Sequence, residues 1–596
     1  MKIAACSIHT TPLDFKGNAA RIRQGIDDAR KADAGLVLFP ELALSGYGCE
    51  DYFLMPWLYE QAFETLSVEI LPHTKDMAVA LGLPFFWEGK RYNGLAICHN
   101  GKLEGIYLKQ ILAGEGVFYE PRWFSAWKSM QQMEVEKNGK RFVMGDFTWD
   151  WEGLSVGFEI CEDAWHPEKR PAVVGAAHGA DLILNASASN FERGKRPSRH
   201  DILRQLKGKS LAAYLYTNLC GNESGKLIFD GEIFFGKAGC LMEAGSILFF
   251  AESKLAVFNL DESGHEIQTP DEGIMEEFTR AVALGLIDYL RKSGSKGFAL
   301  SLSGGADSAA CSVLVAEMLK MCFSELGKDG LEKKLGFALT GHSPTEWTKQ
   351  ILHCVYQGTR NSGPVTRNAA RKVAEEIGAR FTEWEVDELV EAYTQRTESG
   401  LGRKLEWNGD DLVLQNIQAR TRGPGVWMLA NAQNFLLITT SNRSEGDVGY
   451  CTMDGDTAGS IAPIAGVSKH FIRQWLIWAR DTRGYKSLQF IIEQAPTAEL
   501  RPQGSGQTDE KDLMPYELLE EIERAFLEKR MAPGQIPAYL NTFRAETLPE
   551  LEAHCRKFFQ LWKRSQWKRE RLAPSFHLDR FNIDPKSEGR FPIFSV

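Results

Sequence analysis

Two short stretches of this 596-residue chain carry side chains in patterns that suit chemistry. The first is Ser301-Leu302-Ser303-Gly304-Gly305-Ala306-Asp307-Ser308, an apolar strand that runs into two glycines and then an Asp-Ser pair able to open a helix. Glycines let backbone N–H groups approach phosphate oxygens, and a helix N-terminus adds unpaired donors with a favourable dipole. A Walker loop would carry Gly-x-x-x-x-Gly-Lys-Ser/Thr, and no lysine follows here. An acid, Asp307, stands at the helix start instead, where it repels phosphate unless it holds a cation. Magnesium, which binds through carboxylate and phosphate oxygens together, suits that pattern. A glycine turn capped by Asp and Ser in any α/β protein would use the same residues.

The second stretch is Gly157-Phe158-Glu159-Ile160-Cys161-Glu162-Asp163-Ala164-Trp165, where an apolar strand ends in a cysteine flanked by acids. Acidic neighbours raise a thiol's pKa, so a reactive Cys161 needs a nearby cation. Lys109 closes a strand over 106–109 and supplies one. Glu41, in Phe39-Pro40-Glu41, places a carboxylate base at the end of a third strand. Polar residues at the ends of neighbouring strands are how α/β enzymes assemble sites. Spacing alone does not bring the three together, and strand-end caps around a buried thiol would read the same way.

The elements that must position these residues follow from apolar periodicity. Residues 4–8, 36–39, 78–83, 95–99, 156–161 and 182–185 read as strands, with a helix between the first two on which Ile22, Ile26 and Ala29 share a face. Residues 228–235 and 246–250 read as strands without intervening helices, which gives α/β layers with a mixed component. Residues 261–273 turn polar around Pro270 and read as a linker. Beyond it a helix near 275–290 precedes a strand at 297–302, a glycine turn and a helix at 308–321. A strand at 336–340, helical segments at 345–356 and 365–377, and a strand at 435–441 after a further helix continue the alternation. Strand–helix–strand order implies right-handed crossovers and a parallel sheet. The last hundred residues read as charged helix followed by a Pro-punctuated tail.

Composition narrows the partners. Lys plus Arg is 69 and Asp plus Glu is 79, a net charge of −10, which offers no electrostatic footprint for nucleic acid or anionic lipid. No window nears 18 apolar residues, and Met1-Lys2-Ile3-Ala4-Ala5-Cys6 reads as a strand rather than a leader, so a cytoplasmic protein is expected. Eleven cysteines, never spaced Cys-x-x-Cys, predict ten packed thiols and one reactive one.

The residues also match known families. Ser-Gly-Gly-x-Asp-Ser resembles the loop of the ATP pyrophosphatases, which split ATP between its α and β phosphates. Phe39-Pro40-Glu41-Leu42-x-x-Ser45-Gly46-Tyr47, Lys109 and the Glu-Ile-Cys161-Glu-Asp-x-Trp segment are similar to the Glu-Lys-Cys triad of nitrilase-type carbon–nitrogen hydrolases. Together they resemble the glutamine-dependent NAD synthetase family. Tyr356-Gln357-Gly358-Thr359, Asn416-Ile417-Gln418-Ala419-Arg420, Thr440-Ser441-Asn442-Arg443-Ser444-Glu445, Gly449-Tyr450, Pro463-Ile464, Ser468-Lys469, Pro496-Thr497-Ala498-Glu499-Leu500-Arg501-Pro502 and Ser575-Phe576-His577-Leu578-Asp579 follow in that family's order.

The resemblance implies an α/β protein of two domains. Residues 1–265 would form a four-layer α-β-β-α sandwich acting as a glutaminase, and 275–596 a doubly wound, Rossmann-like parallel sheet acting as the synthetase. It makes Cys161 the nucleophile, Glu41 the base, Lys109 the oxyanion-stabilising cation and Glu120 the group that orients Lys109. Ser189 and Lys195 would hold the glutamine backbone, beside Glu115 and Glu162. Ser301–Ser308 and Thr440 would bind ATP, Asn416, Glu445 and Lys568 deamido-NAD, and Asp307 and Glu445 Mg2+. Glu115 stands where the family often carries an aromatic residue, and Ser460 where an Asp is common. The implied reaction amidates a pyridine carboxylate through an acyl-adenylate, with ammonia delivered in neutral form along an enclosed path. Homo-oligomers paired through the synthetase domain are expected. Two rivals share the motifs: a glutamine-fed ATP pyrophosphatase acting on another acid or base, and a catalytically silent binding protein.

Overall fold

The computed structural model describes residues 1–261, 265–494, 500–502 and 508–594. Residues 262–264 of the expected linker and 496–499 of the Pro496–Pro502 segment lie outside the described residues. The chain forms two compact units, Met1–Glu277 and Phe278–Val596.

The strands of the first unit are β1 (Lys2–Ile8), β2 (Leu36–Leu38), β3 (Ala78–Trp87), β4 (Lys90–His99), β5 (Lys102–Leu108), β6 (Gln132–Lys137), β7 (Lys140–Gly145), β8 (Trp149–Trp151), β9 (Leu154–Ile160), β10 (Leu182–Ser187), β11 (Ala213–Asn218), β12 (Cys220–Asn222), β13 (Ile228–Asp230), β14 (Ile233–Lys237), β15 (Cys240–Ala244) and β16 (Ser253–Asn259). They form an eight-stranded sheet, β16-β1-β2-β3-β4-β5-β7-β6, a six-stranded sheet, β15-β14-β11-β10-β9-β8, and the ribbon β12-β13. Side chains alternate across each strand, and this sorts the layers. Ile3, Ala5, Leu36, Leu38, Leu95 and Tyr107 pack against Val156, Phe158, Leu182, Leu184 and Phe235 in a core between the sheets. The alternate residues Ala4, Cys6, Val37 and Ile106 face outward onto Ile22 and Ile26 of the helix Phe15–Lys31 and Leu58 and Ala62 of Pro56–Thr65. Ile183, Tyr214 and Phe234 face outward onto Ile202 and Leu203 of the helix Arg196–Arg204. The result is helix, sheet, sheet, helix: the four-layer α-β-β-α sandwich.

The second unit holds β17 (Gly297–Ser301), β18 (Leu352–Gly358), β19 (Arg380–Glu385) and β20 (Phe435–Ile438), all parallel, in the order β19-β18-β17-β20. Ala299, Val355 and Leu437 meet Val426 and Ala430 of the helix Trp407–Gln433 on one face. Phe298, Leu300 and Cys354 are fully buried on the other. The chain runs outward from β17 to β18 and β19, then returns to the opposite side of β17 as β20. The switch point therefore lies at the carboxyl ends of β17 and β20, where open α/β sheets bind ligands.

Four expected elements differ. Residues 336–340 are a loop, because the chain first makes the helix Pro344–Ile351, capped by Ser343 with Glu346, and only then enters the sheet. The helix expected through 356 accordingly stops at Ile351, and Leu352–Gly358 is β18. Residues 246–250 are not a strand: Leu248 has φ +57, which no strand residue adopts, and the strand that pairs with β1 is β16. The run 228–235 is split in two by Gly231, at φ +72.

Candidate active sites

In the first unit, β5 delivers Tyr107 into the inter-sheet core, so Lys109, two residues on, points to the same side. Its Nζ lies 2.7 Å from Glu41 Oε1 and 2.8 Å from Glu120 Oε1, and all three side chains are essentially fully buried. Glu41 sits on the turn after β2. That turn presses on β3 so closely that a Cβ at Gly82 would lie 2.1 Å from the Leu42 nitrogen, so only glycine fits there. Asn93 Nδ2 donates to Glu41 Oε1 at 2.7 Å and the Ala188 amide to Oε2 at 2.8 Å. Tyr47 Oη donates to Glu120 Oε1 at 2.8 Å, and the Ala113 amide to Oε2 at 3.1 Å.

Cys161 ends β9 at φ +43, a left-handed conformation costing on the order of 1–3 kcal/mol that turns the chain sharply into a 3-10 turn, Cys161–Ala164. Asp163 holds this turn. Its carboxylate accepts from Tyr107 Oη (3.0 Å) and from the amides of Ile160 (3.0 Å), Gln110 (3.0 Å) and Ile111 (2.8 Å). It thereby ties the cysteine turn to the segment just after Lys109. Burial, Glu41 and Glu162 push the Cys161 thiol well up, while Lys109 pulls it down. Burial alone would lower Lys109, yet Glu120 and Glu41 hold its ammonium well above the usual lysine range. Burial, with Glu41 adding to it, raises Glu120 to about 7. One cation thus serves two carboxylates and a thiol that stays protonated until a base takes its proton.

Ser189 is buried after β10, its amide donating 2.8 Å to Asn218 Oδ1. Lys195 stands just before the helix Arg196–Arg204, its Nζ donating to Asn190 Oδ1 (2.9 Å) and Glu192 Oε1 (3.1 Å). Glu162 accepts from His166 at 2.8 Å, one helical turn on, and Glu115 is exposed on the loop before Glu120. The structure brings Glu41, Lys109, Glu120 and the Cys161 turn together and leaves Glu115 at the surface. Asn93, Tyr47 and Asp163 belong to this constellation without having been singled out. Asp163 was signalled by its place three residues past a strand end, whereas Asn93 carries no local signal. All eleven cysteines are free thiols.

In the second unit, the chain leaves β17 through Leu302 and turns at Gly304, φ +82, where a Cβ would lie 2.1 Å from the Thr366 carbonyl oxygen. Gly305 then caps the helix Ala306–Leu335. Ser303 Oγ and Ser308 Oγ lie 3.1 Å apart, and the Gly305 amide donates to Ser303 Oγ at 3.3 Å. A cavity of about 280 Å³ opens over this loop, lined by Ser301, Ser303, Gly304, Gly305, Ala306, Asp307, Ser308, Thr440 and Glu445. Leu302 lies fully buried behind the loop. Lys469 donates to Asp307 Oδ2 and lies 3.5 Å from Glu445 Oε1, and Asn442 Nδ2 donates to Asp307 Oδ1 at 3.2 Å. Asp509 also faces Lys469. Burial and the charge of Asp307 raise Glu445 to about 8 despite Lys469.

Asn416 and Lys568 are not among the lining residues; both hold one segment of the rim. Thr452 Oγ1 donates to Asn416 Oδ1 at 2.8 Å, and Lys568 Nζ donates to the carbonyls of Gly449 (2.7 Å) and Cys451 (2.8 Å). Tyr450, between them, lines the cavity. Ser460 lies alongside β20 and is not among the residues lining the cavity, its amide donating 2.7 Å to the Leu437 carbonyl. Among the described residues no three His, Cys, Asp or Glu side chains are arranged to enclose a metal. Asp307 and Glu445 offer two carboxylates with one lysine between them, a donor set that fits a magnesium ion completing its shell with phosphate and water oxygens.

A carbon–nitrogen hydrolase family model matches residues 2–253, and an NAD synthase model residues 278–571. A solved glutamine-dependent NAD(+) synthetase from Cytophaga hutchinsonii superposes with a TM-score of 0.88 at 42% identity, covering 100% of this chain and 98% of its own. The glutamine-dependent NAD(+) synthetase of Aquifex aeolicus is 30% identical over 90% of this chain and 91% of its own length. The chain belongs to the glutamine-dependent NAD(+) synthetase family. The synthetase of Arabidopsis thaliana, at 29% identity over 100% of this chain and 92% of its own, shares both parts. As a member of this family the chain is a ligase with a nitrilase-like N-terminal domain and an NAD synthetase C-terminal domain. Among the described residues no helix is long and apolar enough to cross a membrane.

Proposed function

We propose that residues 1–265 hydrolyse glutamine at Glu41, Lys109 and Cys161, and that residues 275–596 use the ammonia to amidate deamido-NAD at the expense of ATP. The observation that carries this reading is the buried set of Lys109, Glu41 and Glu120 on one side of a strained cysteine turn. Because the thiol is held high and Glu41 accepts hydrogen bonds through both oxygens, Glu41 takes the Cys161 proton as sulfur attacks the side-chain amide carbon. Lys109, steadied by Glu120, faces the charge that builds on the carbonyl oxygen. The proton on Glu41 passes to the leaving nitrogen, ammonia departs, and water attacks the thioester with Glu41 again as base. Ser189 and Lys195 would hold the glutamine backbone, with Glu162, next to Cys161, and Glu115 as further glutamine contacts.

In the second unit the amides of Gly304–Ser308, with Thr440, would hold the ATP phosphates at the sheet's switch point. Lys469 adds a positive charge to that face. The pyridine carboxylate oxygen attacks the α-phosphorus, the bond to the β-phosphate breaks and pyrophosphate leaves. Ammonia then attacks the acyl carbon and AMP departs. Asp307 and Glu445 would hold magnesium, which when bound neutralises phosphate charge. Asn416 and Lys568, by fixing the Gly449–Thr452 rim, support a role in shaping the deamido-NAD side of the cavity, with Glu445 facing it. Self-association through the synthetase unit is supported by the helix Asp387–Leu401. It has no buried residue and exposes Leu389, Tyr393 and Leu401, each at least half accessible. The test of the reading is conversion of deamido-NAD to NAD with glutamine or ammonium salts. AMP and pyrophosphate should form in step with NAD; formation of ADP, or amidation of other acids in preference, would overturn it.

A further inference from the structure

The mechanism leaves unused a buried polar chain that runs beneath the cysteine site. It begins at Asn218, the last residue of β11. Asn218 clamps Ser189 from both sides: the Ser189 amide donates to Oδ1, and Nδ2 donates to the Ser189 carbonyl, each at 2.8 Å. The same Nδ2 donates 2.8 Å to Asp230 Oδ1. Asp230 Oδ2 accepts from Arg199 NH1 at 2.5 Å, and Arg199 also reaches Glu232 Oε2 at 2.8 Å. Glu232 Oε1 accepts from Arg196 Nε at 2.6 Å and meets His200 Nε2 at 2.9 Å. The Arg199 backbone amide donates 3.1 Å to the carbonyl of Lys195. The chain is therefore continuous from Ser189 to Lys195, and each linking side chain is less than a tenth exposed.

We infer that Asn218 is a positioning residue that fixes the spacing between Ser189 and Lys195, and so sets affinity for the glutamine backbone rather than the rate of amide cleavage. The inference rests on the glutaminase reading above. Its physical basis is the geometry of the clamp. An Asn amide at this place presents one acceptor and one donor, matching the amide and carbonyl of Ser189 as a neighbouring strand would. Ion pairs buried this deeply have few alternative arrangements, because removing one partner strands the other's charge. Asp230 is held by Arg199, so it fixes in turn the direction of Nδ2. Neither Asn218 nor Asp230 hydrogen-bonds to Glu41, Lys109 or Glu120; their one link to the triad runs along the backbone, where Ala188, whose amide donates to Glu41, precedes the clamped Ser189.

The test compares wild type with Asn218→Asp, which keeps the shape but turns the donor into a charge facing Asp230, and with Asn218→Ser, which removes the clamp without adding charge. Three readouts are taken on the full chain: KM and kcat for glutamine, NAD synthesis from ammonium salts, and the rate of Cys161 alkylation by iodoacetamide, a probe without an amino-acid backbone. The expected result is a KM for glutamine raised about tenfold or more in both variants. kcat, alkylation and ammonium-driven synthesis should stay within about twofold. An unchanged KM in either variant overturns the proposal. So does a fall in kcat at constant KM, or loss of alkylation in both variants, which would make Asn218 a support of the fold or of Cys161. Failure of the underlying reading is distinct: wild type would then show no glutamine-dependent activity at all.

Discussion

Lys109→Met removes the cation between Glu41 and Glu120 and leaves the two carboxylates facing its place. Both Oε1 atoms lie within 2.8 Å of Nζ. At a separation on the order of 5 Å, with an effective dielectric of about 20, their repulsion is about 3 kcal/mol. Breaking a buried ion pair from one side costs about 3–5 kcal/mol, so the denaturant transition of the first unit should lose about that much. Losing the charge that faces the oxyanion should lower kcat for glutamine hydrolysis by about 10²- to 10³-fold. Ammonium-driven synthesis should stay within about twofold. Adding Glu120→Gln removes one carboxylate and should return about 3 kcal/mol of stability while restoring none of the hydrolysis. Glu120→Gln alone gives the pH side of the same argument. Because Glu120 is raised from its ordinary 4.5 to about 7, the folded chain binds its proton more tightly than the unfolded chain. Its contribution to stability is complete below pH 4.5 and is lost as pH rises through about 7, and the glutamine variant should flatten that decline. A double variant no more stable than Lys109→Met, or an unaltered pH slope, would refute the charge reasoning.

Two further outcomes follow from the second unit. Gly304→Ala puts a methyl group 2.1 Å from the Thr366 carbonyl oxygen at φ +82; it should displace the loop and weaken ATP binding at least tenfold with either nitrogen source, and wild-type ATP affinity would refute the loop assignment. Tyr393→Lys should dissociate an oligomer formed through the Asp387–Leu401 helix, seen as a smaller species by sedimentation; a wild type that already sediments as a monomer would refute self-association.

The sequence made the chemistry more legible than the sheets. Lys109 and Cys161 directly follow a strand and Glu41 sits on the turn after one, and strand ends are marked locally by apolar runs that stop at a polar residue. The phosphate loop is likewise a local signal, because its turn conformation demands glycine at 304. What was missed depends on distant partners. β16 exists because its residues pair with β1, far away in the sequence, and of its own residues, Ser253–Asn259, only Phe258 is buried. The hairpin β6–β7 is polar on one side and carries little apolar pattern. The misplaced strand at 336–340 shows the converse: an apolar run with no sheet edge to meet stays a loop. Asn93 and Asn218 act through side chains that reach residues far along the chain, so nothing beside them in the sequence marks their role.

The central claim is that one half of this chain makes the ammonia that the other half consumes. The most direct measurement is NAD formation by wild type and by Cys161→Ala, each supplied with glutamine or with ammonium salts. The variant should lose glutamine-driven synthesis and keep ammonium-driven synthesis within about twofold. Equal loss with both nitrogen sources in a folded variant, or survival of glutamine-driven synthesis, would contradict it.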